Sequence, residues 1–302
     1  MTDLRAIARA LGGEVSAGQV LAPAPGHSRQ DRSLSVKLCP SAPGGILVWL
    51  FSGGDVLAAK DHVLDALRWP REKGRGPSLE ARPAPLVSQT DGARTARAIA
   101  IWEEARDPAG TPVETYLRRH RGLELPEAAA GVAIRYHPSC PFSGSRRVPA
   151  MVCLVRDVLT NVPRAIHRTA LELDGRKAAI GGHSRLSLGP TSGGAIKLTP
   201  DCGITGCLGI GEGLESALSL RRLAEFGASP VWSLLSAGGV ERLPVLAGVE
   251  SLWVAVDHDE AGVRASHACA KRWREAGAEI FLVRPIAQRT DLNDVFKEHT
   301  DA

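Results

Sequence analysis

Residues 207–213 read Cys207-Leu208-Gly209-Ile210-Gly211-Glu212-Gly213, and residues 252–262 read Leu252-Trp253-Val254-Ala255-Val256-Asp257-His258-Asp259-Glu260-Ala261-Gly262. Each is a short apolar run that ends in carboxylates. A third run, Ile280-Phe281-Leu282-Val283, precedes Thr290-Asp291-Leu292-Asn293-Asp294-Val295. Short continuous apolar runs mark strands buried on both faces, as in a parallel sheet. Between the first two lie an amphipathic stretch read as a helix, Leu214 to Phe226, and a further strand, Val231 to Leu235. A helix from Ala261 to Ala276 leads to the last strand. Strands alternating with helices predict an α/β domain on a parallel sheet.

In such sheets ligands gather at the carboxyl ends of the strands. Glu212, Asp257 and Asp259 all stand there, so the fold can bring them together. Clustered carboxylates repel one another and take up protons unless a cation neutralises them. Hard oxygen donors in an open cluster suit Mg2+ or Mn2+, which bind through a few carboxylates, water and substrate phosphate. That is the outline of a phosphoryl-transfer site. Asp257 or Asp259 can also cap the helix beginning near Glu260, but capping does not account for Glu212 at a second strand end. Glu215 is read either as a base behind the site or as a solvent-facing residue. Asp291 and Asp294 either add a ligand or orient water. Gly209-x-Gly211-x-Gly213 imitates a dinucleotide loop, yet Leu214 stands where its last glycine belongs, and a glutamate inside it repels pyrophosphate. No glycine-rich turn leads into Gly-Lys-Ser/Thr, so no P-loop ATPase is expected.

Four segments in order, Gly211 to Ser219, Ser236 to Gly239, Asp257 to Gly262 and Thr290 to Val295, resemble the Toprim domain of bacterial-type primases, topoisomerases and some nucleases. The likeness is greatest to Toprim primases of plasmids, phages and integrated elements, and it covers about residues 205–298. It implies that Glu212, Asp257 and Asp259 are catalytic and hold Mg2+ or Mn2+, with Asp294 as a further metal ligand. The implied activity is synthesis of short RNA primers from nucleoside triphosphates on a single-stranded DNA template. A separate replicative helicase is a further partner that the resemblance implies. Two alternatives stay open: a Toprim nuclease using water as nucleophile, and a non-catalytic DNA-binding accessory protein of a mobile element. Topoisomerase activity is not expected, because nothing marks a catalytic tyrosine among Tyr116 and Tyr136.

The rest of the chain divides by composition. Residues 1–69 read as a small β-rich module, 70–94 as a Pro/Gly/Arg-rich linker, 95–204 as a basic α+β part and 205–302 as the Toprim domain. The first module has helices at Met1 to Leu11 and Asp55 to Leu67 around strands Leu34 to Leu38 and Ile46 to Phe51. It resembles the zinc-binding domain of primases, but Ala22 and Ala24 stand where cysteines would fall. Only His27 and the distant Cys39 remain of a four-ligand site, so zinc is not expected. The middle part has a helix from Thr95 to Arg106 and a second opened by Pro112. Strands then follow at Val132 to Tyr136, Ala150 to Arg156, Arg164 to Leu173 and Ala195 to Leu198. It resembles the basic subdomain of the primase core, which implies phosphate contacts from Arg168, Lys177, Arg185 and Lys197.

The bulk numbers agree with a globular chain. It has 302 residues, 44% of them hydrophobic, and a net charge of +4. Mild basicity permits a nucleic-acid partner without demanding one. The cysteines, Cys39, Cys140, Cys153, Cys202, Cys207 and Cys269, form no CxxC pair, which suits a reduced cytoplasmic protein. No apolar run has membrane-spanning length, so no membrane partner is expected.

Overall fold

The computed structural model of the chain describes residues 4–16, 18–38, 46–51, 56–69, 89–204, 206–246, 248–286 and 290–298. An amino-terminal module runs through α1 (Leu4–Leu11), β1 (Glu14–Ser16), β2 (Gln19–Ala22), β3 (Leu34–Leu38), β4 (Ile46–Leu50) and α2 (Val56–Ala66). Its strands form a four-stranded antiparallel sheet in the order β1-β2-β3-β4. The strands β1 and β2 go unread in the sequence because they are short and largely polar at their start. Ala22 and Ala24 pack in this module's core with Val20, Leu34 and Ile46. His27 pairs with Asp31 at 3.3 Å, and Cys39 lies outside the described residues.

Strand β4 is apolar on both faces, and both faces are used. Ile46 and Leu50 close the module's own core, with Val48 at its edge. Trp49 and Phe51 point the other way, into a cluster with Leu208, Trp232, Leu246 and Val249. Burying a ring the size of Trp49 contributes on the order of 3 kcal/mol. Polar contacts fix the docking. The Gly248 N–H donates to Gln19 Oε1 at 2.6 Å, and Ser35 Oγ donates to the same oxygen at 3.1 Å. Lys37 Nζ donates to the Ala276 carbonyl.

The middle part contains α3 (Gln89–Glu104), α4 (Pro112–Thr115), β5 (Ile134–Pro141), β6 (Arg147–Asp157), β7 (Pro163–Ala170), β8 (Arg185–Leu188) and β9 (Gly194–Lys197). The expected linker lies outside the described residues up to position 88, and α3 starts at Gln89 rather than Thr95. Its first turn is polar and carries Asp91, a charge that suits a helix N-terminus, so composition alone assigned it to the linker. Helix α4 begins at Pro112, where the missing N–H costs nothing, and Thr111 Oγ1 accepts the Val113 N–H at 3.2 Å. A π-helical turn, Tyr116–His120, continues it. The polar edge strand β8 was not foreseen.

The carboxyl-terminal part contains β10 (Gly206–Gly211), α5 (Leu214–Ser219), β11 (Val231–Ser233), α6 (Ala237–Arg242), β12 (Val249–Ala255), α7 (Glu260–Glu275), β13 (Glu279–Val283) and α8 (Leu292–Glu298). Its strands pair in parallel, β10 with β11 and β12, and β12 with β13. Helix α5 is shorter than the sequence suggested: Ser219 Oγ bonds back to the Glu215 carbonyl at 2.8 Å, and a 3-10 turn takes over. On β12, Leu252 and Val254 face the side of α6 and α7, while Trp253 and Ala255 face α5 and α8. Gly209 and Gly211 let α5 and the following loop press against β10. A Cβ at Gly209 would lie 2.5 Å from Phe226 Cζ, and one at Gly211 would lie 2.9 Å from the Ala217 nitrogen. That is why glycines alternate there.

One nine-stranded mixed sheet unites the middle and carboxyl-terminal parts, in the order β13-β12-β10-β11-β9-β6-β7-β8 with β5 on β6. The antiparallel pair β9–β11 makes the join, Trp232 opposite Lys197 and Ser233 opposite Ile196. Helix α3 covers the middle strands on one face, through Ile101 and Trp102 against Val152 and Leu154. The opposite face of those strands packs against the turn after α4 and against α5, through Met151, Cys153 and Ile196, and lines part of the cleft described below. No described helix is long and apolar enough to cross a membrane.

The docking of the amino-terminal module depends on Gly248. Its φ is +90°, and a Cβ there would lie 1.9 Å from Phe51 Cζ. A left-handed backbone costs a residue with a Cβ about 1–2 kcal/mol before any clash, so Gly248→Ala should destabilise the protein by at least that much. Denaturant melts measure the loss, and faster proteolysis within residues 1–69 would accompany it; unchanged melts and cleavage would refute the docking.

Candidate active site

Glu212 directly follows β10 and Asp257 follows β12. The parallel register, Gly211 opposite Ala255, brings these strand ends side by side. The Glu212 carboxylate accepts the N–H of Ala237, the first residue of α6. Leu235 holds a φ of +70° and donates its N–H to the Glu212 carbonyl at 2.8 Å. Backbone strain of this kind concentrates at functional sites. Asp257 accepts the Ser216 hydroxyl at 3.2 Å. Burial, then the charges of Asp257 and Asp259, raise the Glu212 pKa to about 7. Burial, then Asp291, raise Asp257 to about 6. Asp291 is also above the ordinary carboxylate range, chiefly through burial.

Asp259 is the N-cap of α7, its Oδ1 accepting the Gly262 N–H at 2.7 Å, and it is exposed. The capping alternative therefore describes Asp259, while Glu212 and Asp257 face the cleft. Asp291 and Asp294 cap α8 reciprocally. The Asp291 N–H donates to Asp294 Oδ2 at 3.3 Å, and the Asp294 N–H donates to Asp291 Oδ1 at 2.9 Å, a capping box built with aspartates. Of the two, Asp291 lines the cleft and Asp294 does not.

The cleft, of about 200 Å3, lies between the ends of the parallel strands and the face of β6 to β9 that points away from α3. Glu212, Asp257 and Asp291 form one side. Arg185 contributes from β8, where it pairs with Thr169. Glu215 is not solvent-facing. It is buried, and its Oε1 accepts Arg185 Nη2 at 2.5 Å together with the Tyr116 hydroxyl. Arg121 Nε donates to the Tyr116 hydroxyl at 3.0 Å. Burial alone would raise the Glu215 pKa, but Arg185, the Tyr116 bond and Lys177 hold it near 2. Burial and then Arg185 push Lys177 down to about 8 and His167 down to about 4. His167 is therefore neutral near pH 7, whereas Arg185 and Lys177 carry charge.

Lys177 and Arg185 thus gather beside the cleft, and Lys197 and Arg168 do not. Lys197 is buried, paired with Asp201 at 2.7 Å, and lies over the Trp232 ring at 4.6 Å. Its neighbour Ile196 lines the cleft. Arg168 donates to the Pro141 carbonyl at 2.5 Å, while its neighbours His167 and Thr169 line the cleft. Side chains alternate along a strand, and in both strands the basic residue falls on the far face. Tyr116, Arg121 and His167 were not singled out for roles of their own. Their meeting depends on packing between the turn after α4, β7 and α5, which no local motif reports.

Two features of the residues present fit a divalent cation. The half-buried carboxylates Glu212 and Asp257 stand at adjacent strand ends with raised proton affinity. At Gly262 a Cβ would lie 2.6 Å from the Asp257 carbonyl oxygen and 3.0 Å from Glu212 Oε1, so a bare backbone makes room for both. Among the described residues, no group of three or more His, Cys, Asp or Glu side chains is placed to hold a metal ion. A Mg2+ ion here would rely on the two carboxylates, with water and substrate phosphate as its other ligands.

Comparison with known proteins gives two family matches and several similar folds. Residues 92–198 match a family described as a domain of unknown function (DUF7146), and no curated protein matches the chain in sequence. Among solved structures, the zinc-binding and RNA polymerase domains of the Aquifex aeolicus primase are 15% identical, with 97% of this chain and 79% of that one covered and a TM-score of 0.44. The primase fragment of the bacteriophage T7 primase-helicase protein is 14% identical over 61% of this chain and 70% of that one, with a TM-score of 0.39. A DNA primase domain from Pseudomonas aeruginosa is 15% identical over 68% and 74%, with a TM-score of 0.40. Residues 207–302 match the Toprim domain family, and with its acidic strand ends in place this part of the chain is a Toprim domain.

Proposed function

We propose that the protein is a primase-like nucleotidyltransferase that makes short RNA primers on single-stranded DNA. The observation that carries this reading is that one cleft holds both kinds of charge. Glu212, Asp257 and Asp291 line it together with Arg185, and Lys177 lies within electrostatic reach of Arg185 and Asp291. Carboxylates alone would repel a nucleotide, and cations alone would hold any anion. Together they suit a triphosphate that arrives with a divalent cation.

Each group has a distinct task. Glu212 and Asp257, with Asp259 adding charge and Asp291 beside them, would hold Mg2+ or Mn2+. When bound, the metal supplies Lewis-acid activation of a primer 3′-hydroxyl and charge neutralisation at the departing pyrophosphate. Arg185 and Lys177 bind the nucleotide phosphates and orient them. Exposed Arg118, Arg119 and Arg176 come from two segments joined where His120 Nε2 meets the Asp174 carbonyl at 3.2 Å. They offer a rim for template phosphates, which are recognised largely without regard to sequence. A replicative helicase would be a separate partner.

Primer synthesis from labelled nucleotides on single-stranded DNA tests the reading. Asp257→Asn should lower it by about a hundredfold or more, beyond what the loss of a group that merely supports a metal ligand typically costs. Asp259→Asn should keep the helix cap, since Asn caps as well as Asp, and should lose less activity. Equal activity in all three proteins would exclude this site, whereas shortened DNA without new product would indicate a nuclease.

A pH series gives a second check. The raised pKa of Glu212 and Asp257 means that the folded metal-free protein binds these protons more tightly than the unfolded chain. Their stabilising contribution is full below the ordinary carboxylate pKa and is lost as pH rises through about 6 to 7. Cation binding must displace the same protons. The rise in Tm caused by Mg2+ should therefore be greatest above pH 7 and fade by about pH 5. It should be absent in Asp257→Asn, and an increase that persists undiminished at low pH would contradict the assignment.

A further inference from the structure

A buried carboxylate beside a phosphate site is a liability in charge terms, since it weakens the field that attracts the phosphate. Glu215 is such a group, 4% exposed and lining the same cleft as Arg185. Its bonds suggest why it is there. Oε1 accepts from Arg185 and from the Tyr116 hydroxyl, and Arg121 donates to that hydroxyl in turn. The contacts tie three separated segments together: the turn after α4, the edge strand β8 and the first turn of α5. Arg185 itself has a side chain 37% exposed. On a short edge strand, a long arginine without an anchor would spread over many rotamers. The anchor engages one edge of a guanidinium that has five N–H donors and leaves the exposed remainder for a ligand.

We propose that Glu215, supported by Tyr116, is a positioning residue that aims Arg185 at a phosphate group in the cleft. Glu215 neither holds a metal nor acts as a base in this assignment. Its Oε1 is engaged by both the arginine and the tyrosine, and Ser216, the next residue, is the one that bonds Asp257. The proposal rests on the reading that the cleft takes a nucleotide triphosphate, and it says which residues set the geometry of the cationic side.

The test measures pyrophosphate binding in Mg2+ by calorimetry, alongside nucleotide KM and kcat in primer synthesis. Arg185→Ala should weaken pyrophosphate binding about tenfold, the cost of one charge-assisted hydrogen bond. Glu215→Gln should weaken it by a similar factor. The double variant should be no weaker than Arg185→Ala alone, because the glutamate acts only through the arginine. Glu215→Gln should raise the nucleotide KM with little change in kcat, and the Mg2+ concentration for half-maximal activity should not move. Tyr116→Phe, which keeps the ring in the core, should shift KM in the same direction by a smaller factor. Additive effects in the double variant, a shifted Mg2+ requirement or unchanged pyrophosphate binding in Glu215→Gln would each overturn the assignment, as would a wild type that binds no pyrophosphate. A wild type that binds pyrophosphate as expected but makes no primer would sink the primase reading and leave the positioning role standing.

Discussion

Parallel pairing of β10 with β12 forces Glu212 and Asp257 together at adjacent strand ends, where burial and mutual repulsion both work against their charge. The surrounding structure is arranged to keep them there. The first amide of α6 donates to Glu212, Ser216 donates to Asp257, and Gly262 leaves the start of α7 bare enough for both to approach. Leu235 accepts a left-handed backbone at the same point. A site that stores unfavourable electrostatics in this way is primed for a cation, because cation binding relieves the repulsion that folding imposed.

The cationic side of the cleft is supplied by a different part of the chain, and the continuous sheet makes that possible. Through the β9–β11 pair, strands β6 to β8 extend the plane of the parallel strands, so His167, Thr169 and Arg185, on the face away from α3, line the same cleft as Glu212. Arg185 is delivered from the edge strand of this extension and Lys177 from the loop before it. Glu215 then links that edge to α5 of the Toprim part. A parallel sheet alone would give the acidic strand ends without a cationic wall. The antiparallel extension adds the wall without a hinge between the two.

What the sequence revealed and what it hid follow from the range of the interactions concerned. Apolar runs ending in Glu212 and Asp257 report buried strands and their ends directly, so β10, β12 and the acidic pair were legible. The cap on α7 was legible as an alternative, and Asp259 takes it, whereas the cap that Asp291 and Asp294 form on α8 was not read. The faces of the middle strands were not. Arg168 and Lys197 lie in strands whose inward side depends on register and on which face α3 covers. Nothing within either strand states that choice. Glu215 was ambiguous for a related reason: its partners Tyr116 and Arg185 come from distant segments. Gly209 and Gly211 look like a loop motif in one dimension and are a packing surface for α5 in three.

The amino-terminal module extends the same logic from the site to the whole chain. Ala22 and Ala24 are packed among Val20, Leu34 and Ile46, so the corner they occupy is held by apolar contact. A small four-stranded sheet with two short helices has little core of its own, and sheets of this size gain much from packing against a neighbour. Here β4 turns Trp49 and Phe51 outward into the Toprim part, and Gln19 buries its amide oxygen against the Gly248 N–H. Docking therefore supplies burial that the module cannot generate alone. It also fastens the module behind the strands whose far ends carry Glu212 and Asp257, so its contribution to the site passes through the stability of that sheet.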